Sequence, residues 1–174
     1  MKKLLLFVFV LLFSIFASIA DASSGVAEDT MIDKIKLTDD DIPQGFVYGK
    51  IPDFAKKVLQ ENPWKMNKSA IDKLTEKIYP DGNPGAVKNI YVSIYAKEDK
   101  PYGDDIVCYI ILFKDNSSAG KEIGKLKNYA SHNSDRVVLI VKKDLAVFLH
   151  VDDIDNFDII KDMGNKISTK IDSI

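Results

Sequence analysis

Two pairs of predicted strands, each followed by a helical pattern, dominate the second half of this 174-residue chain. Residues 90–95 alternate between aliphatic side chains and Tyr or Ser, which is typical of a strand with one buried face. Residues 106–113 are apolar on both faces, as in a central strand, and a turn-rich loop joins this pair into a hairpin. Residues 137–141 and 146–151 form the second pair. Strands that arrive in pairs disfavour a doubly wound α/β fold, in which single strands alternate with helices.

The other predicted elements are helices and one short strand at residues 46–51. Apolar residues at helical spacing, bounded by turn residues, predict helices at four places, namely residues 52–59, 67–78, 116–130 and 153–171. The order β-α-α-β-β-α-β-β-α predicts an α+β fold, with an antiparallel or mixed sheet of about five strands and helices packed on it. Residues 31–37 are a further place where a strand is expected to begin.

The start of the chain has the layout of a secretory signal peptide. Lys2 and Lys3 precede an unbroken apolar run of ten residues, 4–13, and small residues follow that run. The small residues fit cleavage after Ala20 or after Ala22. The alternative is an uncleaved membrane anchor, because the largely apolar stretch at residues 4–20 is just long enough to cross a bilayer.

These patterns divide the chain into three predicted parts. Residues 1–20 are the signal peptide, residues 21–30 a flexible leader, and residues 31–174 a single α+β domain. We therefore expect an exported protein, periplasmic or extracellular. The short apolar run and the ratio of 23 Lys to one Arg are typical of a bacterial chain. No cysteine stands just after the apolar run, so the protein is not expected to be a lipoprotein.

Charge and cysteine content exclude some classes of protein. The 24 basic and 26 acidic side chains leave a net charge of −2, which does not favour nucleic-acid binding. Cys108 is the only cysteine, so no internal disulfide can form and stability must come from a packed core. With a signal peptide that is cleaved, no contact with the membrane is expected.

Few residues have the pattern of a catalytic site. His132 lies in a polar loop after the predicted third helix, and His150 lies on a strand. Cys108 alternates with aliphatic residues on a central strand, where a small buried side chain is the usual role. A catalytic dyad would need one histidine beside the thiol, a serine or a carboxylate. The sequence predicts no catalytic residue.

Metal and cofactor motifs are also missing. Residues 151–158 are rich in Asp, but a calcium loop needs a glycine at its sixth position and an acid at its twelfth. These acids are interpreted as a helix start, where carboxylates interact favourably with the helix dipole. Glycine-rich phosphate loops and paired-histidine zinc helices do not occur. We expect neither a metal nor a cofactor.

Three aromatic residues are the candidate interaction surface. Tyr91 and Tyr95 fall on the more polar face of their strand, where their rings would be partly exposed. Trp64 falls in a loop between two predicted helices. Tyr and Trp are frequent at binding surfaces because each combines a large apolar body with a polar tip. The alternative is that helices cover both tyrosines and that Trp64 closes the end of the core.

The function that follows is an exported, non-catalytic binding or envelope accessory domain, whose partner is an unknown protein or small ligand. One alternative is a hydrolase whose carboxylates converge only in the fold, because acid pairs can do acid–base work without a local motif. The other is a surface or adhesive protein that uses the face of Tyr91 and Tyr95.

Overall fold

The computed structural model describes residue 25, residues 27–50 and residues 63–174. The predicted signal peptide (1–20) and the predicted helix at 52–59 lie outside the described residues. The described residues belong to two compact units. One contains those before Leu37 together with Lys170–Ile174, and the other contains Leu37–Thr169 apart from the segment that is not described.

The first unit contains helix α1, residues 27–35, and the end of the last helix. The prediction that a strand begins within residues 31–37 was wrong. Ile32 and Ile35 are both buried, and their three-residue spacing belongs to one face of a helix. The N–H of Lys36 donates to the carbonyl of Ile32 at 2.9 Å, and its Nζ bonds Asp33 at 2.7 Å. The helix also includes residues 27–30, which the sequence assigned to the leader.

The second unit is built on an antiparallel sheet of six strands, which confirms the predicted α+β fold. The strands are β1 (Phe46–Tyr48), β2 (Trp64–Lys65), β3 (Val87–Lys97), β4 (Ile106–Phe113), β5 (Val137–Lys142) and β6 (Leu145–Val151). The order across the sheet is β1-β3-β4-β6-β5, and β2 also pairs with β3. Both predicted hairpins are present, since β3 pairs with β4 and β5 with β6.

Three longer helices follow the strands. They are α2 (Lys68–Ile78), α3 (Asn116–His132) and α4 (Phe157–Asp172). Asn67, the first residue of the predicted helix 67–78 and a residue type that favours helix N-caps, caps α2 by accepting a hydrogen bond from the N–H of Ala70 at 2.9 Å. Asp115 caps α3 by accepting from the N–H of Ser118 at 2.7 Å. Short polar side chains at these two positions therefore fix where the helices begin.

Helices cover both faces of the sheet. On one face α2 and α3 pack against alternate residues of the strands, including Ile90 of β3, Ile111 of β4 and Phe148 of β6. On the other face α4 approaches β5, and a Cβ added to Gly164 would lie 2.8 Å from a methyl carbon of Val138. Because neighbouring residues of a strand point to opposite faces, helices on both sides of the sheet bury successive residues of a strand, as in β6, where six of seven positions are buried.

Candidate functional site

The three aromatic residues predicted to form an interaction surface are buried. Their exposed fractions are 8% for Trp64, 4% for Tyr91 and 1% for Tyr95. The expectation that the tyrosine rings are partly exposed was wrong, because their face of β3 is covered as well. Trp64 does not lie in a loop but in β2, opposite Val92 of β3. The alternative reading, in which these rings belong to the core, agrees with the structure.

Tyr95 lies in a compact aromatic contact rather than at a surface. Its ring stacks on that of Tyr48, with 5.3 Å between the ring centroids. The hydroxyl of Tyr48 donates to the carbonyl of Leu37 at 2.5 Å. Burial raises the pKa of Tyr95 well above its ordinary value, so the phenol is neutral at any physiological pH.

Cys108 lies on the same face of the sheet as Tyr95 and is also buried. Burial raises the pKa of its thiol to about 12. The thiolate is the reactive form of cysteine, so this thiol is inert while the domain is folded. Its role is that of a small apolar side chain, as the alternation of the strand predicts.

The two histidines lie on different elements and neither meets the thiol. The Nδ1 atom of His132, at the end of α3, lies 2.8 Å from the carbonyl oxygen of Asn128. His150 pairs with Val107 of β4, which places its side chain on the face opposite that of Cys108. Burial lowers the pKa of His150, although Asp152 at 3.8 Å acts in the other direction.

Sequence reasoning missed a buried carboxylate on α3. Glu122 is only 3% exposed. Its Oε2 accepts from the hydroxyl of Tyr79 at 2.8 Å and from the N–H of Asn83 at 2.9 Å, and its Oε1 accepts from Nζ of Lys125 at 2.8 Å. Lys125 also donates to the carbonyl of Asp81 at 2.6 Å. The signal was present in the sequence, since Glu122 falls at helical spacing within the apolar stripe of α3.

The hydrogen bonds decide the charge of Glu122. Burial alone would raise the pKa of its carboxyl, but the three donors stabilise the ionised form and hold the pKa below the ordinary glutamate value. The carboxylate therefore fastens the turn after α2 to α3. Asp81, in that turn, has a φ of 58°, in the left-handed region that Asp adopts more often than most residues other than glycine. The fully bonded geometry of Glu122 is that of a structural group.

A shallow groove of about 260 Å³ lies beside Glu122. Its lining includes Asp81, Lys125, Asn128, Tyr129 and His132. The residues that line it provide one carboxylate, whereas the acid–base chemistry of the predicted hydrolase uses a pair. The groove brings a histidine and an aspartate to one place without that pairing.

A different surface carries exposed apolar side chains. Tyr102 is 69% exposed in the loop between β3 and β4, and Ile154 is 52% exposed in the loop between β6 and α4. We call the two loops, residues 98–105 and 152–156, the acidic end. They contain seven acidic side chains and one basic one, a net charge of −6, while the whole chain carries −2.

The register of the sheet brings the two loops of the acidic end together. Ile106, at the start of β4, pairs with Tyr95 on one side and with Val151 on the other. Nζ of Lys97, the last residue of β3 before the first loop, lies 3.9 Å from Oδ2 of Asp153 in the second loop. The loops are therefore neighbours in space although about fifty residues separate them in the chain.

The acidic end has one internal deficit. The side-chain nitrogen of Asn156 is buried and has no hydrogen-bond partner, and it is the only such atom among the described residues. Asn156 itself is 6% exposed. Buried polar groups are nearly always paired in native proteins. The loop before α4 thus satisfies its own polar groups less completely than the rest of the described fold.

The acids of this end are not arranged as a metal site. Across residues 27–50 and 63–174 no group of three or more His, Cys, Asp or Glu side chains is placed to hold a metal ion. Within the same residues, no helix combines the length and the apolar composition that crossing a bilayer requires. No protein-family model, curated protein or solved structure matches the chain.

Proposed function

We propose that this protein is an exported, non-catalytic binding domain of the bacterial envelope, and that it contacts its partner through the acidic end. The observation that carries the proposal is the exposure of Tyr102 and Ile154 on two adjacent loops. A contiguous apolar patch within a polar rim marks a protein–protein contact surface, and in this proposal Tyr102 and Ile154 contribute to one such patch. The surface thus differs from the predicted one, but the class of function is the same.

The state of the reactive side chains supports a binding role. Glu122 is held by three donors, and Cys108 is buried and protonated. His132 is bonded to the backbone of its own helix, and His150 lies on another element. Each of these groups already serves packing or hydrogen bonding within the fold.

The charge of the acidic end indicates the chemistry of the partner. Six of its seven carboxylates belong to exposed residues, and Asp105 accepts a backbone hydrogen bond from Lys97 at 3.0 Å. A negative surface attracts a positive one and accelerates its association. We therefore expect a partner surface that presents Lys or Arg around an apolar patch. This attraction weakens with salt, because the Debye length falls to about 8 Å at physiological ionic strength.

Site-specific photocrosslinking tests the contact surface. A photoreactive phenylalanine at position 102 or 154, in cells that produce the protein, should form a crosslinked product with a basic protein. The same group at Lys121, exposed on α3, is the matched control and should not. Replacing Asp104 and Asp153 by Asn should reduce the crosslink yield at Tyr102. Equal products at the control position, or none at the acidic end, would contradict the proposal.

Export is tested separately. The signal-peptide pattern predicts a mature protein that begins after Ala20 or Ala22. Mass spectrometry of the N-terminus and fractionation of the cells measure this directly. An intact Met1 in the cytoplasmic fraction would refute export while leaving the contact surface to its own test.

A further inference from the structure

Strand β5 ends the sheet on one side. It pairs with β6 alone, and no other strand of residues 27–50 or 63–174 lies beyond it. The pair Lys142 and Leu145 flanks a two-residue turn, which makes it a hydrogen-bonded pair of the antiparallel ladder. The carbonyl of Arg136 accepts from the N–H of Val151 at 3.0 Å, so an even-numbered residue also bonds to β6 at the other end of the strand.

The alternation of even- and odd-numbered residues along β5 determines which backbone groups point away from β6. Even-numbered residues of β5 bond to β6, so the N–H and C=O groups of Val137, Leu139 and Val141 lie along the outer edge. The register with β6 runs without a bulge. The five residues from Val137 to Val141 contain no charge and no proline, the devices by which edge strands usually prevent pairing. The edge is therefore a template for another strand.

The side chains of this strand are incompletely covered. Positions 138–142 are all partly exposed, whereas β6 beside it is buried at six of its seven positions. An added strand would cover these aliphatic side chains as well as pair the backbone. Strand addition gains affinity from main-chain hydrogen bonds and specificity from alternate side chains.

Charge distinguishes a partner from a second copy. Antiparallel pairing of two copies, centred on Leu139, would place Arg136 of each copy opposite Lys142 of the other, and like charges directly opposite are destabilising. Lys142 and Lys143, followed by Asp144, give one end of the strand a net charge of +1, and Arg136 and Asp135 at the other end, 3.2 Å apart, carry no net charge together. An acidic residue in the added strand would be attracted to Lys142 and Lys143.

We propose that the outer edge of β5 binds an extended segment of a partner protein by strand addition. The segment is apolar at its centre and acidic at the end that meets Lys142 and Lys143. This site is separate from the acidic end and goes beyond the contact proposed there. The lysines at the end of β5 attract an acidic segment, whereas the acidic end attracts a basic surface.

Amide hydrogen exchange tests the edge without any mutation. The amides of Val137, Leu139 and Val141 should exchange rapidly, while those of Val138 and Ile140 are protected by β6. The probe is a blocked nine-residue peptide of alternating Val and Thr with two Glu at one end. Its addition should slow exchange at the three outward amides by at least tenfold. Protection of these amides before the peptide is added would overturn the proposal.

A proline variant tests the hydrogen bonds themselves. Leu139→Pro removes an outward N–H and leaves the bonds to β6 in place, so it should weaken peptide binding at least tenfold in fluorescence anisotropy. Leu139→Ala keeps the N–H and is the matched control. Lys143→Glu should weaken binding of the same peptide and strengthen binding of one that ends in two Lys.

The remaining outcomes also decide the matter. If Leu139→Pro retains its circular dichroism spectrum and still binds the peptide like the unmodified protein, strand addition at this edge is refuted. If the protein instead forms a dimer that Leu139→Pro dissociates in light scattering, the occupant is a second copy and the partner proposal is wrong. Should Leu139→Pro unfold, the exchange measurement on the unmodified protein decides.

Discussion

Glu122→Gln is the most informative single change in this domain. The glutamine keeps the shape of the side chain but has one acceptor oxygen where the carboxylate has two. If that oxygen faces Tyr79 and Asn83, the amide nitrogen faces the ammonium of Lys125, and both are donors. Hydrogen bonds to a charged group contribute about 1.5–3 kcal/mol each, against about 0.5–1.5 kcal/mol for neutral ones. We expect the free energy of unfolding to fall by about 2–3 kcal/mol.

Urea denaturation measures this loss. With a typical slope of about 1–3 kcal/mol per molar urea for a small protein, the midpoint should fall by about 0.7–3 M. Glu76→Gln, at an exposed glutamate on α2, is the matched control and should change stability by less than about 0.5 kcal/mol. Equal midpoints for Glu122→Gln and the unmodified protein would show that the three hydrogen bonds contribute nothing net.

The lowered pKa of Glu122 also predicts how the free energy of unfolding depends on pH. The pKa of Glu122 is lower in the folded protein than its ordinary value, so its ionised form stabilises the fold. That stabilisation is complete above the ordinary glutamate pKa and is lost as the pH falls through the lower folded pKa. Glu122→Gln should therefore lose less stability than the unmodified protein over this acidic range. A parallel decline in both proteins would refute the assignment of charge to this carboxyl.

Three further predictions concern the core and the helices. Tyr91→Ala and Tyr95→Ala should each lower the free energy of unfolding by about 3–5 kcal/mol, as for other large core side chains, and a loss below about 1 kcal/mol would show that the rings are exposed. Gly124→Ala should raise the thermal midpoint, because the added Cβ enters open space. Gly164→Ala should lower it, because α4 lies against β5 there. A midpoint that shifts in the same direction for both variants would contradict the packing. Cys108 should react with a thiol reagent only after unfolding, and rapid reaction in native buffer would show that the strand is accessible.

The strand pairs could be predicted because their evidence is local. Alternation and apolar runs mark β3 to β6, and the short connections between them favour antiparallel neighbours. The helix at residues 27–35 was mistaken for the start of a strand because Ile35 and Leu37 are two residues apart, as in a strand, whereas Ile32 and Ile35 are three apart, as on a helix face. Strand β2 has only two residues, too few to carry any period, and it exists because β3 offers an edge to pair with.

The proposed contact surface was harder to predict for a physical reason. Burial of a strand face depends on what packs over it. The pattern of residues 90–95 does not indicate that helices lie on both sides of the sheet. Tyr91 and Tyr95 were therefore assigned to a surface that the fold covers. The exposed side chains, Tyr102 and Ile154, lie in loops, where a single apolar residue has no periodic signature.

The amino-acid sequence by itself determined the α+β class, the two hairpins and the cap of α2, because each depends on neighbouring residues and on short-range backbone preferences. Only the tertiary structure decided which carboxylate is buried, which aromatic rings are covered and which strand comes last in the described sheet. Those properties depend on residues far apart in the chain. Glu122 meets Tyr79 and Asn83 across about forty residues, and the acidic end forms only because β4 lies between β3 and β6.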